Sequence, residues 1–232
     1  MAGNNVTVYL DTTPPSGMAL ALDNGASFTS DDLIDVNITF DPPTDNSNTS
    51  LWQMLIWGAE IDATYDTKVQ TTEGASDWIT YQNPYQVRVT PTDGAKTISV
   101  RLRDEVFNST GIQSQTITRD ATKPVVTVSN VDAPRISEVE NKNLAHFSFT
   151  CDVPFVEYQV RVVGTAGDNY LSGTLIPTTV GSVNTSGTGA FDTTTAPISV
   201  TIHGTDLKTA STGDGDKIIK VFCRDDAGNW SA

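Results

Sequence analysis

The chain has 232 residues, enough for two domains of ordinary size, and its 28 acidic against 14 basic residues give a formal charge of −14. That balance repels phosphate backbones and anionic lipid surfaces, so nucleic acid and membrane are not expected partners. No apolar run reaches membrane-spanning length, and the start Met1-Ala2-Gly3-Asn4-Asn5 does not resemble a signal peptide. A cytoplasmic chain, export by another route, packing into a particle built in a cytoplasm and a slice of a longer chain all fit that start.

Thr, Ser, Asn, Asp and Gly fill much of what the 38% hydrophobic fraction leaves. These residues favour turns and solvated strand faces, and no amphipathic helical stretch of useful length interrupts them. The expected class is all-β, with no helix. Near the start, Val8-Tyr9-Leu10-Asp11-Thr12-Thr13-Pro14-Pro15 is an alternating strand that runs into Asp, Thr and a rigidifying Pro. Val36, Ile38 and Phe40 then alternate with polar neighbours. Further strands are read around Met54 and Ile56, at Trp78 to Tyr81, at Tyr85 to Val89 and at Ile98 to Leu102. The last of these leaves an Asp93-Gly94 turn and stops at Arg103-Asp104, with Asn108 a few residues on.

The opening motif returns in mid-chain as Ile117-Thr118-Arg119-Asp120-Ala121-Thr122-Lys123-Pro124. After it, Phe147, Phe149 and Cys151 form an apolar face, as do Tyr158, Val160 and Val162, and then Ile198, Val200 and Ile202. The stretch from Thr178 to Thr195 is rich in Gly, Ser and Thr and reads as a long loop or weak hairpin, the best candidate for a mobile tip. Asp214-Gly215 feeds Ile219, Val221 and Cys223, which stop at Arg224-Asp225 with Asn229 following as Asn108 does. An internal repeat therefore divides the chain into residues 1–118 and 119–232. Short alternating strands spaced by turns make each half a β-sandwich.

The series Asp-Thr-Thr-Pro-Pro, Asp-Gly-x-Lys-x-Ile-x-Val-x-x-Arg-Asp and Arg-Asp-Asp-Ala-Gly-Asn-Trp-Ser resembles the bacterial and bacteriophage Ig-like repeats. The resemblance covers nearly all of the first unit and the two ends of the second; Val131 to Thr195 departs from it. It implies two tandem immunoglobulin-like β-sandwich domains, of the kind that occur in surface adhesins and in phage tail and capsid proteins. The expected function is that of a non-enzymatic structural or binding protein in a bacteriophage virion, decorating capsid or tail. Its expected partners are other virion proteins, copies of itself or a host surface glycan. The alternatives are a spacer fragment of an adhesin on the bacterial cell surface and a carbohydrate-binding module of a glycosidase.

Cys151 and Cys223 fall on inward faces of the second unit, where Phe40 and Leu102 stand in the first. That is the placement of an inter-sheet disulfide in antibody-type domains, and equally of two buried thiols acting as small hydrophobes. Asp104, Asp120, Asp225 and Asp226 gather near the domain ends as candidate Ca²⁺ ligands, set against the ordinary use of Asp in loops. No other cofactor is expected. The two histidines, His146 and His203, lack the spacing of a catalytic triad or a zinc site. Trp52, Trp57, Tyr81 and Tyr85 are candidates for a sugar-stacking platform, although core packing is the commoner use of such residues. Finally, Ala2-Gly3-Asn4-Asn5 echoes Ala227-Gly228-Asn229-Trp230, and nothing after Asn229 matches the strand from Gln113 to Thr118. The second unit is expected to lack its last strand. Its edge would be closed by a following segment of a longer chain or by the N-terminal segment of a neighbouring copy.

Overall fold

The computed structural model describes residues 6–43, 47–132 and 135–232, so the echo at Ala2 to Asn5 lies outside the described residues. The chain forms two compact units, Met1–Asp120 and Ala121–Ala232, dividing after residue 120 rather than after residue 118. Both are β-sandwiches, and the fold class is all-β.

In the first unit the strands are β1 (Ala19–Leu22), β2 (Phe28–Thr29), β3 (Leu33–Thr39), β4 (Gln53–Trp57), β5 (Ile79–Thr80), β6 (Tyr85–Arg88), β7 (Gly94–Arg103) and β8 (Gln113–Arg119). One sheet has the order β1-β3-β6 and the other β2-β8-β7-β4-β5. All pairings are antiparallel except the short one between β2 and β8. This distribution of consecutive strands between two sheets is the immunoglobulin-like arrangement. Alternation explains it: Ile34, Val36 and Ile38 of β3 point inward, and Ile98, Val100 and Leu102 of β7 meet them from the facing sheet. Burying each such side chain stabilises the unit by about 1.5–3 kcal/mol before the loss of chain entropy is counted. Ile117 of β8, fully buried, completes that core.

The second unit contains β9 (Val126–Ser129), β10 (Leu144–Cys151), β11 (Phe155–Val163), β12 (Thr174–Leu175), β13 (Ser186–Phe191), β14 (Ile198–His203), the helix α1 (Gly204–Ala210) and β15 (Ile218–Arg224). One sheet has the order β14-β10-β9; in the other, β11 pairs with β12, β13 and β15. Phe147, Phe149 and Cys151 face Tyr158, Val160, Val221 and Cys223 across the core. Phe155 and Phe191 stack at 5.1 Å and fill one end of it.

One expectation is made definite here and one is corrected. Within the stretch from Thr178 to Thr195, read as a long loop or weak hairpin, Ser186–Phe191 is the strand β13, which pairs with β11. A helix is also present. His203 caps α1 by accepting from the Thr205 amide, while Leu207 and Ala210 pack on the core. With seven residues and two apolar anchors, α1 is too short to leave a periodic signal.

The units differ at one edge. In the first, β7 is held between β4 and β8; in the second, β15 pairs with β11 alone, and among the described residues no strand lies on its other side.

Candidate functional site

The most distinctive polar geometry is a clasp built twice. In the first unit the turn after β7 returns on the Asp104 carboxylate. Oδ1 accepts from the amides of Val106 at 2.9 Å and Asn108 at 2.8 Å, and Oδ2 accepts from Asn108 Nδ2 at 2.9 Å. In the second unit Asp225 Oδ1 accepts from the Asn229 amide at 2.8 Å and Oδ2 from Asn229 Nδ2 at 3.0 Å. The chain then rejoins its strand in the same way in both. Thr110 N donates to Leu102 O, and Ser231 N to Cys223 O, each at 2.9 Å. Thr110 Oγ1 accepts from Leu102 N at 3.0 Å, and Ser231 Oγ from Cys223 N at 3.1 Å. Both aspartates are buried, and such charge-assisted bonds are among the stronger ones available to a turn.

The clasps account for two of the four candidate calcium ligands. Asp104 and Asp225 spend their oxygens on turn donors. Asp226 is exposed, and Asp120 is half-buried with its amide donating to Thr29 O at 2.8 Å. Among the described residues no three His, Cys, Asp or Glu side chains converge to hold a metal ion.

Cys151 on β10 and Cys223 on β15 are buried free thiols that meet across the sandwich. The hydrogen bond to Cys151 and burial together push the ionisation of Cys223 up, which holds it as a thiol. The Cys151 amide donates to Thr193 Oγ1 at 2.7 Å, tying the end of β10 to the loop after β13. His146 is exposed and its Nδ1 lies 2.7 Å from Asp132 Oδ2. Hydrogen bonds from the His146 amide and ring hold the Asp132 carboxyl below its usual range. His203 is bracketed by Asn143 and Thr205, each at 2.6 Å, and serves as the helix cap.

The four aromatic candidates do not form an open platform. Trp52 is buried against Phe40, the Tyr81 hydroxyl donates to Ile38 O at 3.1 Å, and the Tyr85 hydroxyl donates to Asp66. Trp57 lies half-buried in β4, between β5 and β7. Aromatic rings are instead used around arginines: the Arg103 guanidinium sits 4.1 Å from the Trp78 ring and 4.4 Å from Phe107. Tyr170 and Trp230 stack on each other at 4.5 Å.

Two buried charges were missed by sequence reasoning. Lys96 is 1% exposed in β7; its Nζ donates to Thr90 Oγ1 at 2.9 Å and Thr92 Oγ1 at 3.2 Å, with Glu60 at 3.6 Å. Asp206 in α1 accepts from Thr179 Oγ1 at 3.2 Å, from the Val180 amide at 3.3 Å and from the Ser182 amide at 3.1 Å, tethering the preceding loop to the helix. Burial pushes the Asp206 carboxyl up, but these donors outweigh it and hold it below its ordinary value. For Lys96 the available signal was alternation, since it shares the phase of Ile98, Val100 and Leu102 and therefore falls on the inward face of β7. For Asp206 the only signal is its place in the first turn of a helix too short to be recognised.

No family model matches the chain, and no curated protein matches it. Among solved structures it is similar to the fibronectin(III)-like modules of Clostridium thermocellum CbhA, with 12% identity over 92% of this chain and 90% of that chain and a TM-score of 0.46.

Proposed function

We propose that this chain is a non-enzymatic structural module of a bacteriophage virion, carried on capsid or tail, where tandem sandwiches join virion proteins or touch a host surface glycan weakly. The observation that carries the reading is the repeated clasp. The same buried aspartate and asparagine close the same turn in both units, so the strongest polar geometry serves rigidity rather than chemistry. The sequence resemblance to Ig-like repeats of phage and bacterial surfaces supplies the setting. The acidic surface fits a protein that avoids the packaged nucleic acid.

Mass spectrometry of purified particles tests the proposal. The chain is expected at a stoichiometric level that survives density-gradient purification. Its absence from particles, with recovery in a bacterial envelope fraction, would replace the virion by the adhesin spacer.

A further inference from the structure

The arginine that ends the strand before each clasp is treated differently in the two units. In the second, Glu157 of β11 stands opposite Arg224 of β15, and its Oε2 accepts from Arg224 Nε at 3.0 Å and lies 2.9 Å from Nη2. In the first, the residue opposite Arg103 across the β4–β7 ladder is Gln53, a neutral amide whose Oε1 accepts from Arg103 Nε at 2.7 Å. Among the described residues Arg103 forms no ion pair, and its Nη1 and Nη2 meet no acceptor. These two nitrogens carry most of the donors of a guanidinium. Burial pushes the ionisation of Arg103 below its ordinary value, so its charge is held at a cost that no carboxylate offsets.

What surrounds Arg103 instead is aromatic, and one of its two rings is out of place. Phe107 sits in the clasp turn at φ 72°, the left-handed region that bulky side chains avoid, and it is 63% exposed. The matching position of the second clasp, one residue before Asn229 as Phe107 is one before Asn108, is Gly228 at φ 91°. Glycine adopts that conformation freely. The first unit thus carries a strained phenyl ring where the fold asks for glycine, and recovers little burial for it. The ring's contact is with the guanidinium. Backbone strain of this kind collects at ligand sites. The carboxylates that follow Arg103 in the chain are engaged elsewhere: Asp104 holds the clasp, and Glu105 Oε1 accepts from the Asn48 amide at 2.8 Å.

The geometry points to a ligand site on the first unit, in which Arg103 receives the carboxylate of an acidic sugar while Trp78 and Phe107 pack on the apolar face of the sugar ring. Glu157 shows the chemistry, because a carboxylate is what the equivalent arginine takes in the second unit. A carboxylate matches the open fork of Nη1 and Nη2 with two parallel N–H···O bonds. A small anion alone would leave the exposed phenyl ring unused, whereas a pyranose brings a C–H face to lie on it. The charge of −14 repels anions at a distance, but beyond about 8 Å charges are largely screened at physiological salt, so contact geometry governs. The inference rests on the glycan contact proposed above and not on the virion. Particles that lack the chain would end the virion reading and leave this site to be judged on the isolated protein.

Titration with a galacturonic acid trimer, followed by two-dimensional NMR, is expected to shift the Arg103 Nε–H and Trp78 indole N–H signals saturably. A neutral galactose trimer and a triglutamate peptide, at matched ionic strength, should each bind roughly tenfold more weakly or worse. Gln53→Glu supplies within the unit the carboxylate that Glu157 supplies in the other. It should abolish binding of the acidic trimer with no loss of melting temperature. Phe107→Gly should weaken binding roughly tenfold and raise the melting temperature of the first unit by relieving the strained turn. A phenyl ring needed only for packing would lower it instead, and that result would overturn the site. So would trimer binding that survives Gln53→Glu, or the lack of any saturable shift. Triglutamate binding as tightly as the acidic trimer would put an acidic peptide in place of the sugar and overturn the assignment.

Discussion

The two units carry nearly the same strand before the clasp, yet it folds to different lengths. In the first, Asp93-Gly94-Ala95-Lys96 is already strand from Gly94; in the second, Asp214-Gly215-Asp216-Lys217 lies outside β15, which starts at Ile218. Both turns have their glycine at strongly positive φ, 125° for Gly94 and 124° for Gly215, so the turn itself is not the cause. The neighbour is. Where β8 lies alongside, Gly94 to Val100 of β7 have partners across the ladder, and Lys96 can be buried with two hydroxyls and a carboxylate. Without that neighbour, Lys217 donates to Thr212 O at 3.2 Å and stays half-exposed. Strand extent at a sheet edge is a property of the pair rather than of one sequence.

The sharpest way to break the comparison is Ile117→Ala. It removes the side chain that covers β7 in the first unit and should cost about 2–5 kcal/mol there, seen as a lower melting transition of that unit. Val8→Ala at the equivalent place should leave the melt of the dilute monomer unmoved, since Val8 is exposed.

The next largest effect belongs to the second unit alone. Oxidation by glutathione disulfide should join Cys151 to Cys223, with two protons and two electrons leaving the thiols and two glutathiones formed. Intact mass should fall by two hydrogens, and stability should rise by about 2–4 kcal/mol. Both thiols remaining alkylatable after denaturation would show that the pair does not close.

Asp206 gives a smaller contrast, because the first unit has no counterpart to α1 among its described residues. Its folded carboxyl is held low, so its contribution is complete at neutral pH. That contribution is lost as pH falls from about 4 through the folded value. Chemical denaturation between pH 2 and pH 6 should show this slope, and Asp206→Asn should flatten it at a loss near neutrality of about 2 kcal/mol.

Calcium should do least. With Asp104 and Asp225 occupied by turn donors, melts in millimolar Ca²⁺ and in chelator are expected to coincide for both units. A rise of several degrees with calcium would restore the acidic joint as a site.

The strands that could be read from the sequence were those with clean alternation around a deep core, such as β3, β10 and β14. Their inward Ile, Val and Phe residues leave no choice of face. β13 was illegible because it lies at a sheet edge with mostly exposed Ser, Gly and Thr, so burial never imposed a pattern on it. β2 is two residues long and is specified by its parallel partner β8 rather than by itself. Of the candidate sites, the matched Asp and Asn positions were visible as a repeat, but their role was not. Whether a loop aspartate binds a cation or its own turn depends on where three amides point, which composition does not encode.

The clasps also bear on how the protein ages. Asn108 and Asn229 each hold a side-chain amide within 3.0 Å of a buried carboxylate oxygen. Slow hydrolysis of either amide would put a second carboxylate there, replacing a donor and acceptor with two like charges at contact distance. The turn that fixes the geometry of each unit is thus a place where a single spontaneous chemical change, without any substitution, would loosen it. The number of intact clasps would then record how long a molecule has existed.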